Sequence, residues 1–140
     1  MAFSGINHVA ILVAAVAAWL VGAAWYMSLG RLWTAAVGLT SQQMEEVRRR
    51  PTAYLPFLYV FIADLVMAWV LAGLLGHIGA LTVRAGFISA AFCWAGFVLT
   101  TLVANYTFAM RSWRLILIDA GHWLVVLLVM GAIIGGWGVR

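Results

Sequence analysis

Charge is scarce in this sequence. Asp, Glu and Arg together make up 9% of 140 residues, and lysine is absent. An ordinary soluble domain carries about a quarter charged residues, so a water-facing fold of this size is excluded. Cysteine is almost missing as well: Cys93 stands alone, which rules out an intrachain disulfide, a Cys-pair metal site and a thioredoxin-like motif. There is no G-x-S-x-G, no H-E-x-x-H and no phosphate-binding glycine loop. Of five serines only Ser89 falls firmly within an apolar stretch, and no base can be assigned to it. No catalytic residue follows from any motif, and an enzymatic reading would need a site assembled from residues far apart in the chain.

Apolar side chains dominate instead, at 66% of the chain. Four stretches, about 5–27, 54–76, 85–108 and 114–137, each reach the ~20 residues needed to cross ~30 Å of hydrocarbon at 1.5 Å per residue. The expected fold is all-α: one integral membrane bundle of four transmembrane helices filling residues 1–140. Residues 1–8 hold neither Lys nor Arg, and the apolar run after them exceeds a signal-peptide core, so the first stretch reads as a retained helix.

The net charge of +4 is carried entirely by Arg, and its placement matters more than its total. Connections one and three share a side and hold Arg31, Arg48, Arg49, Arg50, Arg111 and Arg114; the other side has Arg84 and Arg140. Under the positive-inside rule this puts connections one and three in the cytoplasm and both termini outside. The lipid bilayer is the expected partner, and nucleic acid is not. The first connection is the only long one. Thr40 and Gln43 form a capping-box pattern, Glu45 and Glu46 suit the first turns of a helix, and Pro51 stops continuation after the three arginines. A short amphipathic surface helix over about 41–50 follows. Ahead of it, residues 29–37 either extend the first span or lie among headgroups, with Trp33 and Arg31 as anchors. The triple Arg fixes orientation or attracts anionic lipid at ~1 kcal/mol per charge.

Small residues recur every fourth position at Ala10, Ala14, Ala18 and Gly22, and again at Gly131 and Gly135. Such ridges let helix backbones approach closely, within one chain or between chains. The sequence also echoes itself: Tyr26, Arg31 and Trp33 have the same spacing as Tyr106, Arg111 and Trp113. A duplicated helical hairpin would produce this.

Four polar residues interrupt the apolar runs. Counted from the cytoplasmic boundary at 1.5 Å per residue, Asn105 lies about 5 Å deep, Asp119 about 7 Å, His122 about 12 Å and Asp64 about 15 Å. Asp119 and His122, three apart, share a helix face, and Thr101 stands over Asn105. If these stripes turn inward, Asp64, Thr101, Asn105, Asp119 and His122 form one polar cluster. An Asp at a helix centre costs ~2.5–3.5 kcal/mol against ~0.3–0.6 returned by each large apolar residue, so the spans still insert. Asp64 must then turn from lipid and be either paired or protonated. Two roles fit Asp119 and His122. In one, the carboxylate holds the imidazole or an Arg and locks spans three and four, worth ~1–2 kcal/mol. In the other, Asp64, Asp119 and His122 are successive groups of a proton or ion path. Haem or metal ligation through His122 is disfavoured, because His8 lies more than about 10 Å away along the membrane normal; no cofactor is expected.

The run N-H-V-A-I-L-V-A-A-V-A-A-W-L-V-G-A-A-W-Y at 7–26, with G-R-L-W at 30–33 and G-L-T at 38–40, resembles the opening of a small bacterial membrane family, domain of unknown function 1761. The ending I-D-A-G-H-W-L-V-V-L-L-V-M-G-A-I-I-G-G-W at 118–137 is similar to that family's last helix. The resemblance implies a four-span protein of a bacterial inner membrane without an assigned activity. It implies that Asn7, Gly22, Trp25, Tyr26, Gly121 and Gly131 matter for architecture. It also implies Asn and Tyr as the commoner residues where this chain has Asp119 and His122, which favours the structural role. The expected function is therefore structural: a protein that self-associates or joins a larger membrane complex through its small-residue ridges. The alternative is a small transporter or channel using the polar cluster.

Overall fold

The computed structural model describes residues 6–137; Arg140 and the start of the first span lie outside the described residues. Among these there is no strand. Helix α1 (His8–Val37) starts at Asn7, whose Oδ1 accepts from the amides of Val9 and Ala10 at 3.0 and 3.1 Å. This removes two of the amides left unpaired at a helix start. It runs well past residue 27, so the segment around Trp33 continues the helix. It stops at Gly38, whose φ of 85° favours glycine.

Helix α2 (Ser41–Arg48) has the Thr40–Gln43 capping box. Its first turn carries no acid; Glu45 instead pairs with Arg49 at 3.1 Å on the open surface. Every α2 residue is exposed except half-buried Met44. Helix α3 (Leu55–Ile78) has Pro56 in its first turn, where no intrahelical amide is lost, and ends at Gly79. Helix α4 (Val83–Phe108) is capped by Thr82, which accepts from Ala85 N. It contains a π-helical segment, Trp94–Leu99. Helix α5 (Trp113–Trp137) is the last helix among the described residues. Helices α1, α3, α4 and α5 are each long and apolar enough to cross a membrane.

Helix α5 is the hub, packing on α4 and α1 most extensively and on α3 less. The small-residue ridges are used here, inside the chain. Ala10, Ala14, Ala18, Gly22, Gly131 and Gly135 are all buried. Gly131 meets the Gly86 carbonyl backbone to backbone, and Gly135 meets Thr82 in the same way, so a methyl group at either position would collide with main chain. This corrects the expectation that the ridges serve association between molecules: their surface is already consumed. Trp19 Nε1 donates to the Phe57 carbonyl at 3.1 Å and ties α1 to α3.

The π segment changes what α4 presents. Up to its start the inward residues are Gly86, Ala90 and Trp94; a continuous α-helix would next turn Phe97, Thr101 and Asn105 inward. The i→i+5 turn uses one extra residue, and the half-buried positions become Val98, Leu102 and Tyr106, with Leu99 beside them, instead. Thr101 and Asn105 are exposed.

Candidate functional site

One turn of α5, Asp119-Ala120-Gly121-His122, meets α1 and α4 residue by residue. The Asp119 carboxylate is 6% exposed and accepts three hydrogen bonds. Tyr26 Oη donates to Oδ1 at 2.8 Å, Trp33 Nε1 donates to Oδ1 at 3.2 Å, and Tyr106 Oη donates to Oδ2 at 2.8 Å. Tyr26 and Trp33 reach the same oxygen because seven residues is two turns of helix. Their rings stack edge to face, 5.9 Å apart. The extension of α1 past residue 27 is what makes the Trp33 bond available, so Trp33 serves the interior and not a headgroup layer.

The remaining three residues of the turn pack closely. The Ala120 carbonyl accepts from Trp94 Nε1 at 2.8 Å, at the first residue of the π segment. Gly121 lies under Trp25, whose Cζ2 would stand 3.1 Å from an added Cβ. His122 is 3% exposed and fills the space left by Gly22, where an added Cβ would stand 2.9 Å from Nε2. Its ring also contacts Tyr26 and Trp123, at centroid distances of 4.9 and 4.7 Å. Among the described residues, two buried nitrogens in this layer, His122 Nδ1 and Trp25 Nε1, have no hydrogen-bond partner.

Several expectations are revised. Among the described residues Asp119 bonds neither His122 nor an arginine; its partners are aromatic donors, and they join α1, α4 and α5, where the lock was expected to join spans three and four through His122. Shared helix face is not enough, because Tyr26 engages the two separately: its hydroxyl bonds Asp119 and its ring packs on His122. Thr101 and Asn105 leave the expected cluster because of the π turn. Asp64 is 1% exposed, and its Oδ1 has no hydrogen-bond partner; no hydrogen bond or ion pair joins it to Asp119 or His122. His8 and His77 are exposed, as are Arg31, Arg48, Arg49, Arg50, Arg111 and Arg114. Arg111 Nη1 donates to the Val37 carbonyl at 3.3 Å, seating the third connection on the end of α1.

Sequence reasoning missed Tyr106 and Trp94, and gave Tyr26 and Trp33 no partner. The available signal was the repeated Tyr-Arg-Trp spacing: the two tyrosines in it are the two that hold Asp119. The tryptophans diverge, since Trp113 is exposed beneath the Arg114 guanidinium, 5.7 Å from its ring.

The magnitudes explain why no cation is needed. Interhelical hydrogen bonds in membranes average ~0.6 and reach ~1.7 kcal/mol each, so three offset much of the ~2.5–3.5 kcal/mol cost of an Asp in a span. Chemically, the arrangement is a clasp: an acceptor closed on both oxygens by donors from two other helices.

The family described as protein of unknown function (DUF1761) matches residues 9–135, and the chain belongs to it. No curated protein and no solved structure matches the chain.

Proposed function

We propose that this multi-pass membrane protein is a structural or interaction protein of a bacterial inner membrane, with both termini outside, and that it associates with a second copy of itself through the outer face of α4. The observation that carries this reading is Asn105. It is exposed within a span, one turn from exposed Thr101, and among the described residues neither side chain has a hydrogen-bond partner. Thr100 beside them satisfies its hydroxyl on the Gly96 carbonyl at 2.7 Å. A carboxamide both donates and accepts, so the same residue in a second copy is its natural complement across a two-fold axis. Helix α4 is also the least covered span, with 11% of its most apolar window buried against 33–39% in the other three. The interior supports the same reading, because Asp119 and the small-residue ridges are committed to holding the bundle together.

Cysteine cross-linking in native membranes tests it. With Cys93 replaced by Ala, Asn105→Cys and Thr101→Cys should give disulfide-linked dimers on mild oxidation, and Val66→Cys on the exposed face of α3 should not. Equal yields at all three positions, or none at 101 and 105, contradict self-association through α4. A heteromeric partner would appear as a cross-linked band of another mass.

A second reading, movement of protons or a small solute, is favoured by one observation, the unpartnered Oδ1 of Asp64. Under it, Asp64→Asn in reconstituted vesicles abolishes flux; under the first reading flux stays at background in both proteins.

A further inference from the structure

The chain has two buried aspartates, and its fold treats them in opposite ways. Asp119 receives three donors; Asp64, in α3, is 1% exposed and its Oδ1 receives none. The ionisable groups on the elements packed against α3 are engaged or placed elsewhere. On α1, His8 and Arg31 are exposed and Tyr26 is given to Asp119. On α5, Arg114 is exposed, Asp119 is clasped, and His122 lies against Gly22, Tyr26 and Trp123. On α4, Arg84 is exposed, Tyr106 is given to Asp119, and Cys93 is a half-buried free thiol. On α3 itself, Tyr59 and His77 are exposed. Among the described residues the only ion pair is Arg49 with Glu45, on the surface helix.

An ionised carboxylate removed from water needs either a cation or several donors to offset the lost hydration. Asp64 has neither. A divalent cation does not fit, since it needs several oxygen ligands and no group of three His, Cys, Asp or Glu side chains converges among the described residues. We infer that Asp64 is a proton-binding site. Its carboxylate takes one proton from hydronium, forming an O–H bond and leaving water, and stands in the bundle as a neutral carboxylic acid. The two carboxyl groups of this small chain thus stand in opposite surroundings, Asp119 with three donors and Asp64 with none at Oδ1 among the described residues. This inference depends on neither reading of function given above.

Carbon-13 solid-state NMR of the full chain in lipid vesicles at neutral pH tests it, because the sequence has only two aspartates, Asp64 and Asp119. Labelling the Ala63–Asp64 peptide pair, unique in the sequence, assigns the Asp64 carboxyl signal without any substitution. The expected result is an Asp64 signal at the carboxylic-acid position, lost in Asp64→Asn and kept in Asp119→Asn. A carboxylate signal at Asp64, or an acid signal that disappears only with Asp119→Asn, overturns the inference. The paired labelling decides the question even where a substituted chain fails to fold.

Discussion

Tyr26 and Tyr106, from two different helices, donate to opposite oxygens of the same Asp119 carboxylate, each at 2.8 Å. The two bonds are alike in length but not in redundancy, because Trp33 also donates to the oxygen that Tyr26 serves. Tyr106→Phe leaves Oδ2 without a partner, whereas Tyr26→Phe leaves Oδ1 still bonded. Both substitutions should destabilise the folded protein by ~0.6–1.7 kcal/mol, with Tyr106→Phe the more costly. Denaturant titration in mixed micelles measures this, and Tyr26→Phe proving the more costly would contradict it.

A double-mutant cycle isolates the bond itself. On an Asp119→Leu background there is no carboxylate to serve, so Tyr106→Phe should cost less than it does on the native background. Equal costs on both backgrounds would mean that the tyrosine hydroxyl works elsewhere.

The contacts between α4 and α5 predict a contrast among glycines. Gly131→Ala drives a methyl group into the Gly86 carbonyl, and neither backbone can retreat cheaply; a loss of about 1–3 kcal/mol or more is expected. Gly30→Ala in α1 meets nothing within 4 Å and should stabilise by about 0.5–1 kcal/mol. Thermal unfolding of the two variants side by side gives the comparison, and a similar loss in both would contradict backbone contact at Gly131.

Deleting Gly96 from the π segment tests how α4 is phased. One residue fewer lets α-helical turns run through the segment, and Val98, Leu102 and Tyr106 become the third, seventh and eleventh residues after Trp94, so they still face inward and Tyr106 keeps its bond to Asp119. The deletion should therefore be tolerated about as well as Gly96→Ala, whose methyl group meets open space. Retention of the Tyr106–Asp119 coupling in the same double-mutant cycle is expected, and its loss would contradict the phasing.

The legible and illegible parts of this protein divide along physical lines. Four spans, the capping box at Thr40 and the small-residue ridges depend on composition and local spacing, which a sequence displays directly. Burial of Asp64, Asp119 and His122 was also foreseeable, since polar groups in apolar helices turn from lipid. The partners of Asp119 were not foreseeable from helix faces. They depend on α1 continuing past residue 27 and on one π turn in α4, and neither interrupts the apolar pattern. A reading by 3.6-residue period therefore placed Thr101 and Asn105 where Leu102 and Tyr106 stand. The ridges posed a different problem: periodicity marks a face for close approach, and only the assembled bundle distinguishes an internal neighbour from a second molecule.

The Asp119 clasp is tested most directly by carbon–carbon correlation in lipid-embedded protein labelled at the aspartate carboxyl carbons and the tyrosine and histidine ring carbons. Cross-peaks from Asp119 Cγ to Cζ of both Tyr26 and Tyr106 are predicted. A carboxyl carbon of Asp119 that correlates with neither tyrosine, and instead shows contact with the His122 imidazole, would contradict it.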